Sequence, residues 1–242
     1  MKILVISDIH ANITALEAVL NAAGENDAVW CLGDIVGYGA DLNECVERVQ
    51  SLPNLLCVKG NHDHAISNIE SLVEFNITAS EAIMLSRKLI SDRSIAFLQA
   101  LPELVTTDLV TLAHGSPRNP IWEYILDNHV AVENLTNFST QLAFVGHSHL
   151  PLMFTNVDGG KHMSRQYPVP GETMRITGRT ILNPGSVGQP RDNDSRSSFG
   201  IFDPDAMTWQ IQRVKYDISA VQARIRGAGL PEKNARRLSE GW

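Results

Sequence analysis

Cysteine is scarce in this chain: Cys31, Cys45 and Cys57 are the whole supply in 242 residues. The number is odd and no C-x-x-C pair occurs, which argues against a disulfide framework and against thiolate metal ligation. Cys31 and Cys57 lie in apolar runs, so the expectation is reduced, buried thiols in a cytoplasmic protein. Long apolar runs are missing too. The N-terminal stretch Ile3-Leu4-Val5-Ile6 is far shorter than a secretory core of roughly 7–15 apolar residues. Nothing approaches the roughly 20 residues of a membrane span. Basic charge is also short: 20 Lys and Arg stand against 27 Asp and Glu, a net charge of −7. That balance makes bulk nucleic-acid binding a poor expectation, since such binders carry a basic face or stripe. No repeat, low-complexity segment or linker interrupts the chain.

What is present is an ordinary globular composition, 43% apolar and 19% charged. Lys2–Ser7, Ala28–Leu32 and Leu55–Val58 read as short buried strands. Helical spacing of apolar residues separates them, first from Ile13 to a stop at Gly24, then over Leu42–Val49. This β-α-β-α-β order predicts parallel strands with helices on the faces. Residues 70–100 read as helical, with Ile83, Leu85, Leu89, Ile90, Phe97 and Leu98 available for packing. Leu109–Ala113 and Leu142–Val145 read as further strands. Beyond Pro151 the pattern alternates, predicting antiparallel strands over 152–157, 173–177, 180–183, 198–202 and 208–214. A last helix is expected over Ile218–Ile225, followed by a polar tail from Glu232 that is expected to be surface or frayed.

Five predicted strands each end in polar residues of metal-ligand type: Asp8 with His10, Asp34, Asn61 with His62, His114, and His147 with His149. In open α/β sheets the binding crevice lies beyond the carboxyl ends of the strands, so these distant residues are expected on one rim. Asp8 and His10 are two apart, as are His147 and His149, and each pair is expected to address one small volume. Gly33, Gly60, Gly115 and Gly146 stand beside them, where backbone can approach a ligand closely. The donors are carboxylate, imidazole and amide, a mixture that suits Mn, Fe, Zn, Co or Ni better than Mg or Ca. Single histidines after strands are commonly hydrogen-bonded turn residues, and His64, His129 and His162 are read that way.

In this order, Asp8-x-His10, Gly33-Asp34, Gly60-Asn61-His62-Asp63, His114 and Gly146-His147-x-His149 resemble the calcineurin-like metallophosphoesterase superfamily. The motifs span residues 8–149, and the β-rich remainder through about 215 fits that family's second sheet. The resemblance implies an α/β fold, a four-layer α/β/β/α sandwich of two mixed sheets flanked by helices, and a single domain over 1–242 with a peripheral tail from about 231. It implies two divalent metal ions. Asp8, His10 and His149 would hold the first, Asn61, His114 and His147 the second, and Asp34 would bridge them. His62 matches the family's non-ligand histidine, which serves as general acid or holds a phosphate oxygen. An imidazole of ordinary pKa, about 6.5, can protonate a departing alkoxide near neutral pH. Two cations roughly 3.5–4 Å apart can clamp the attacking and leaving oxygens of an in-line displacement by an activated water.

Departures from the family narrow the substrate. Where protein phosphatases carry G-D-x-V-D-R-G, this chain has Gly33-Asp34-Ile35-Val36-Gly37-Tyr38-Gly39. Gly37 replaces the aspartate that orients the acid histidine, and Tyr38 replaces an arginine that grips phosphate. Tyr38 has two readings, a plain loop residue or a face for a base or ring. Asn183–Arg191 resembles a loop of the small phosphodiesterase-like branch; it offers glycine-rich amides and Arg191 to an anion. Arg118 is a further candidate phosphate contact. Two arginines at the rim would favour a small-molecule phosphoester with several phosphates, such as a dinucleoside polyphosphate or another nucleotide. The resulting expectation is a phosphodiester or nucleotide-polyphosphate hydrolase with Asn61, His62, Tyr38 and Arg191 touching substrate. The alternatives are a phosphomonoesterase, or a non-catalytic interaction scaffold on the same fold.

Overall fold

A computed structural model describes residues 1–68, 77–160 and 162–242. The side chains of β1 (Ile3–Ile6) divide by parity, as a strand buried on both faces requires. Leu4 and Ile6 enter a core beneath helices, while Ile3 and Val5 enter a core shared with a second sheet. Strands β2 (Ala28–Cys31) and β3 (Leu56–Cys57) extend the sheet in parallel, joined through α1 (Ile13–Ala23) and α2 (Leu42–Gln50). Helix α1 starts where Asn12 accepts a hydrogen bond from Ala15 N and stops at Gly24. On its other side β1 pairs antiparallel with β11 (Ser197–Asp203), followed by β12 (Thr208–Val214) and β9 (Thr173–Arg175).

The second sheet runs β4 (Leu104–Thr106), β5 (Val110–Ala113), β6 (Leu142–Phe144), β10 (Thr180–Pro184), β7 (Pro151–Asn156) and β8 (Met163–Gln166). Trp30, Phe144, Phe202 and Trp209 fill the space between the two sheets. Helices α1 and α2, with α3 (Asn61–Ser67), α4 (Ile77–Leu89) and α5 (Asp92–Ala100), cover the outer face of the first sheet. Helix α6 (Asn128–Asn134) packs Ala131 on the outer face of the second. The expected α/β/β/α sandwich of mixed sheets is the fold. Among the described residues no helix is long and apolar enough to cross a membrane. Cys31, Cys45 and Cys57 are buried and free of disulfides, as expected.

Several elements differ from expectation. Residues 180–183 were expected to be antiparallel only, but β10 runs parallel to β6 and antiparallel to β7. Strands β4 and β8 are partly exposed along their length and lack the alternation that would mark them. Of the expected helical stretch 70–100, residues 70–76 lie outside those described, and Leu89, expected to pack, is 49% exposed. The tail from Glu232 is not frayed: it forms α8 (Glu232–Glu240), hairpinned onto α7 (Ile218–Gly227). Asn234, Ala235 and Leu238 fall on one face at helical spacing and are buried, so a single narrow stripe anchors an otherwise polar helix. Arg224 of α7 forks onto Asp41 at 2.7 and 2.8 Å, fastening the hairpin to the start of α2.

Candidate metal centre

All five expected strand ends meet at one edge of the sandwich. Asp8 and His10 follow β1, Asp34 follows β2, and Asn61 and His62 open α3 behind β3. His114 follows β5, and His147 and His149 lie between β6 and β7. Backbone hydrogen bonds stitch the loops together: Asp8 N to Gly33 O, His10 N to Asp34 O, Gly146 N to His114 O, and Gly188 N to Asp8 O, all 2.8–3.0 Å. The glycines make room for neighbouring loops rather than for a ligand. A Cβ on Gly60 would stand 2.0 Å from Asp34 Oδ1, and one on Gly146 would stand 2.0 Å from Ser7 Oγ.

Strand alternation does not produce this convergence. Asp8, His10, Ala11, Asp34, Tyr38, His147 and His149 all have φ between 50° and 65°, the left-handed region. These are seven of the ten non-glycine residues with positive φ among those described. Such conformations cost of order 1 kcal/mol each and persist where surrounding contacts over-determine them. The tight turns aim Asp8 and His10 at a shared point but send His147 and His149 to different ones. Asp8, His10 and His149 place one potential ligand atom each within 4.8 Å of one another, as do Asp34, His114 and His147. A third group, His10, Asp34 and His62, overlaps both. Asn61 Oδ1 joins the second group, 3.0 Å from His114 Nε2.

The protonation pattern of these histidines calls for cations. His10 Nδ1 lies 3.2 Å from Val36 O, and His149 Nδ1 faces Gln189 O. A carbonyl can only accept, so Nδ1 carries the proton in each ring and Nε2 is a bare lone pair. Yet the two Nε2 atoms face each other at 3.1 Å. Burial pulls both histidines well below the ordinary imidazole value, which holds them neutral and competent to bind a metal. Asp8 Oδ1, buried and without a hydrogen-bond partner, points into the same place, 3.2 Å from His149 Nε2. A cation between these three atoms resolves both the lone-pair opposition and the orphaned carboxylate oxygen.

Asp34 joins the two groups. Its Oδ1 accepts from His62 N at 2.8 Å, while Oδ2 lies 3.7 Å from His10 Nε2 and 3.4 Å from His114 Nε2. Burial opposes its charge, but His114, His62 and His10 outweigh that and hold its carboxyl well below the usual range. Burial likewise opposes a charge on His114, yet Asp34 pushes it up to about 9. Without metal, then, a proton supplies the positive charge that these carboxylates demand. The donors are oxygen and nitrogen throughout, which fits the metals expected from the sequence.

His62 is packed between Gly37 and Tyr38. A Cβ on Gly37 would meet His62 Nδ1 at 2.4 Å, so the glycine that departs from the phosphatase motif leaves room for this ring. Tyr38 tilts against His62 and His10 with centroids 4.4 and 4.6 Å apart. Burial pulls His62 down to about 4, with Asp34 opposing and Arg191 and His114 adding to the fall. The ring is therefore neutral near pH 7, unlike the imidazole of ordinary pKa assumed from sequence. Arg191 reaches the same rim, its Nη2 donating to Tyr38 OH at 3.4 Å and Gln189 Oε1 at 3.3 Å.

Two expected anion contacts are occupied otherwise. In the 183–191 loop, the amides of Val187 and Gly188 donate to Ser7 O and Asp8 O, and that of Gln189 to Ser186 Oγ. The loop braces the metal-site turns instead of presenting those amides to a ligand. Arg118 is neutralised by Glu123 and Glu133. His64, His129 and His162 belong to none of the three donor groups. Sequence reasoning missed Tyr124, stacked on His147 at 3.8 Å and 14°, and Asp63, which accepts from Gly60 N and Val36 N and so locks the Asn61–His62 turn. Asp63 carried a signal, three residues into a helix behind a strand end. Tyr124 carried none, because its loop is held by tertiary contacts.

Known proteins share both chain and fold. The profile of the calcineurin-like phosphoesterase superfamily domain matches residues 1–207. An uncharacterized protein of Methanocaldococcus jannaschii is 40% identical over 246 residues, covering 99% of this chain and 98% of its own. A metallophosphoesterase from Sphaerobacter thermophilus, known from its crystal structure, has a TM-score of 0.92 at 46% identity, covering 100% of this chain and 99% of that one. A hypothetical protein of Pyrococcus horikoshii shares the fold, with a TM-score of 0.80 at 19% identity over 100% and 98% of the two chains. With its motifs, its layers and these likenesses in agreement, the chain belongs to the calcineurin-like phosphoesterase superfamily.

Proposed function

We propose that this protein is a hydrolase of phosphodiester or nucleotide-polyphosphate bonds that works with two divalent metal ions. Asp8, His10 and His149 would hold one ion, Asn61, His114 and His147 the other, and Asp34 both. The observation that carries the reading is Asp34 Oδ2, set between His10 Nε2 and His114 Nε2 at 3.7 and 3.4 Å. One carboxylate oxygen thus faces both donor groups. When bound, the ions would supply an activated water and charge stabilisation for an in-line displacement. His62 would donate a hydrogen bond from a neutral ring to a phosphate oxygen, because two nearby dications oppose a third positive charge. Tyr38 and Arg191 would complete the substrate contacts, with Arg191 gripping a phosphate by its planar fork. The diester preference follows from Gly37 and Tyr38, which stand where a monoester-cleaving protein phosphatase carries aspartate and arginine.

Metal-stripped protein resupplied with Mn, Fe, Zn, Co or Ni provides the test, with bis-p-nitrophenyl phosphate and p-nitrophenyl phosphate as substrates. Metal-dependent turnover that favours the diester and disappears in Asp34→Asn is expected. Turnover of the monoester alone would overturn the substrate class, and none with any metal would overturn the enzymatic reading.

A further inference from the structure

Among the described residues, Arg191 at the rim of the metal centre and Arg237 of α8 have no carboxylate partner. Arg118, Arg213 and Arg224 are each paired with a carboxylate. Arg191 and Arg237, among the described residues, have no carboxylate within 4.0 Å. Arg191 contacts only the neutral acceptors Tyr38 OH and Gln189 Oε1 through its Nη2, and its Nε is buried without a partner. Arg237 Nε is likewise buried and unpartnered. Its guanidinium lies over the Trp242 ring at 5.3 Å, while Glu240, one turn on, pairs with Arg236 instead.

Helix α8 brings Arg237 to this place. Asn234 Nδ2 donates to Tyr38 O at 3.1 Å, and Asn234 and Leu238 share a narrow cavity of about 10 Å³ with His10, Tyr38 and Gln189. The helix is thus seated against the loop that carries Tyr38, with Arg237 one turn on from Asn234, at the flank of that face, where it lines a groove with Lys233, Arg236, Glu240 and Trp242. Burial depresses Arg237, and the charge of Arg191 adds to that effect. Arg191 in turn stands at the metal centre: its backbone N donates to His149 O at 3.4 Å, and the Tyr38 ring that its side chain reaches lies 4.6 Å from His10 and 4.4 Å from His62.

We infer that Arg237, delivered by the C-terminal helix, joins Arg191 and Tyr38 in a second anion subsite. It would take the phosphate next to the one under attack, so the substrate carries at least two linked phosphates. The inference rests on the phosphoesterase reading for which phosphate is attacked, but not for the existence of the anion site. Two planar forks can hold two oxygens each, and bridging oxygens keep neighbouring phosphates within reach of both sites.

Calorimetry on metal-free protein in chelator, with inorganic pyrophosphate and orthophosphate as probes, tests it. Pyrophosphate is expected to bind wild-type protein at least about tenfold tighter than orthophosphate. Arg237→Ala should erase most of that ratio, and Arg237→Lys should give an intermediate one, since lysine keeps the charge but not the fork. Retained orthophosphate binding reports that a variant is folded. Equal binding of the two probes by wild-type protein, or a ratio untouched in Arg237→Ala, would overturn the inference. Arg237-dependent selectivity without turnover on any metal leaves the anion site standing and removes the phosphoesterase reading. Turnover with an untouched ratio does the reverse.

Discussion

Gly60 has no side chain because Asp34 occupies its place: a Cβ there would come within 2.0 Å of Asp34 Oδ1 and 2.2 Å of Asp34 N. Gly60→Ala must push the shared carboxylate away from both donor groups while leaving every donor present. It is expected to weaken metal binding at least about tenfold, and metal titration followed by calorimetry measures this. His62 gives a second prediction. If it donates from a neutral ring, His62→Ala should lower kcat/KM by a similar factor, about 10- to 100-fold, for aryl and alkyl phosphodiesters. A much larger loss on the alkyl ester, whose leaving group needs a proton, would restore the general-acid role. The donor residues were legible in the sequence because each stands directly behind an apolar run. Their backbone was not: nothing in Asp8-x-His10 or His147-x-His149 signals left-handed residues two apart, and the Asn183–Arg191 loop, distant in sequence, ties down both motifs through Ser7 O, Asp8 O, Gly146 O and His149 O.

At the scale of elements, the buried strands and long amphipathic helices followed from periodicity, and the polar elements did not. Helix α3 begins Asn-His-Asp-His, with no apolar spacing to mark it in the sequence; only Ala65 and Ile66 seat it in the core. Helix α8 is held by Ala235 and Leu238 together with Asn234, too few positions to stand out from a polar tail. The loop between β5 and α6, which carries Tyr124 over His147, is tied by a polar cluster. Ser116 Oγ donates to Glu123 at 2.6 Å, Asn134 Nδ2 at 2.9 Å, and Arg118 forks onto the same carboxylate. Partial burial pushes Glu123 up, but these bonds outweigh it and bring it down to about 2 from 4.5. A depressed carboxylate stabilises the fold above its unfolded pKa, and that contribution fades as pH falls from 4.5 towards 2. Glu123→Gln should therefore cost on the order of 1 kcal/mol near pH 6, after solvent screening. The gap from wild-type protein should shrink by pH 3. Urea unfolding at the two pH values measures both, and a gap that does not change with pH would contradict the ion-pair account.

For the whole molecule, the two sheets put their strand ends on one edge, and the chain crosses between them to assemble one centre. Asp8, His10, Asp34, Asn61 and His62 come from the first sheet, His114, His147 and His149 from the second. The interleaved aromatic core of Trp30, Phe144, Phe202 and Trp209 fixes the spacing between the sheets, and with it the distance between the two halves of the centre. Asp34, proposed to bridge two ions, makes the direct prediction. Elemental analysis of protein dialysed against one divalent metal should give two ions per chain for wild-type protein and fewer than one for Asp34→Asn. A single ion per chain in wild-type protein, or an Asp34→Asn variant that keeps both, would contradict a centre built around one bridging carboxylate.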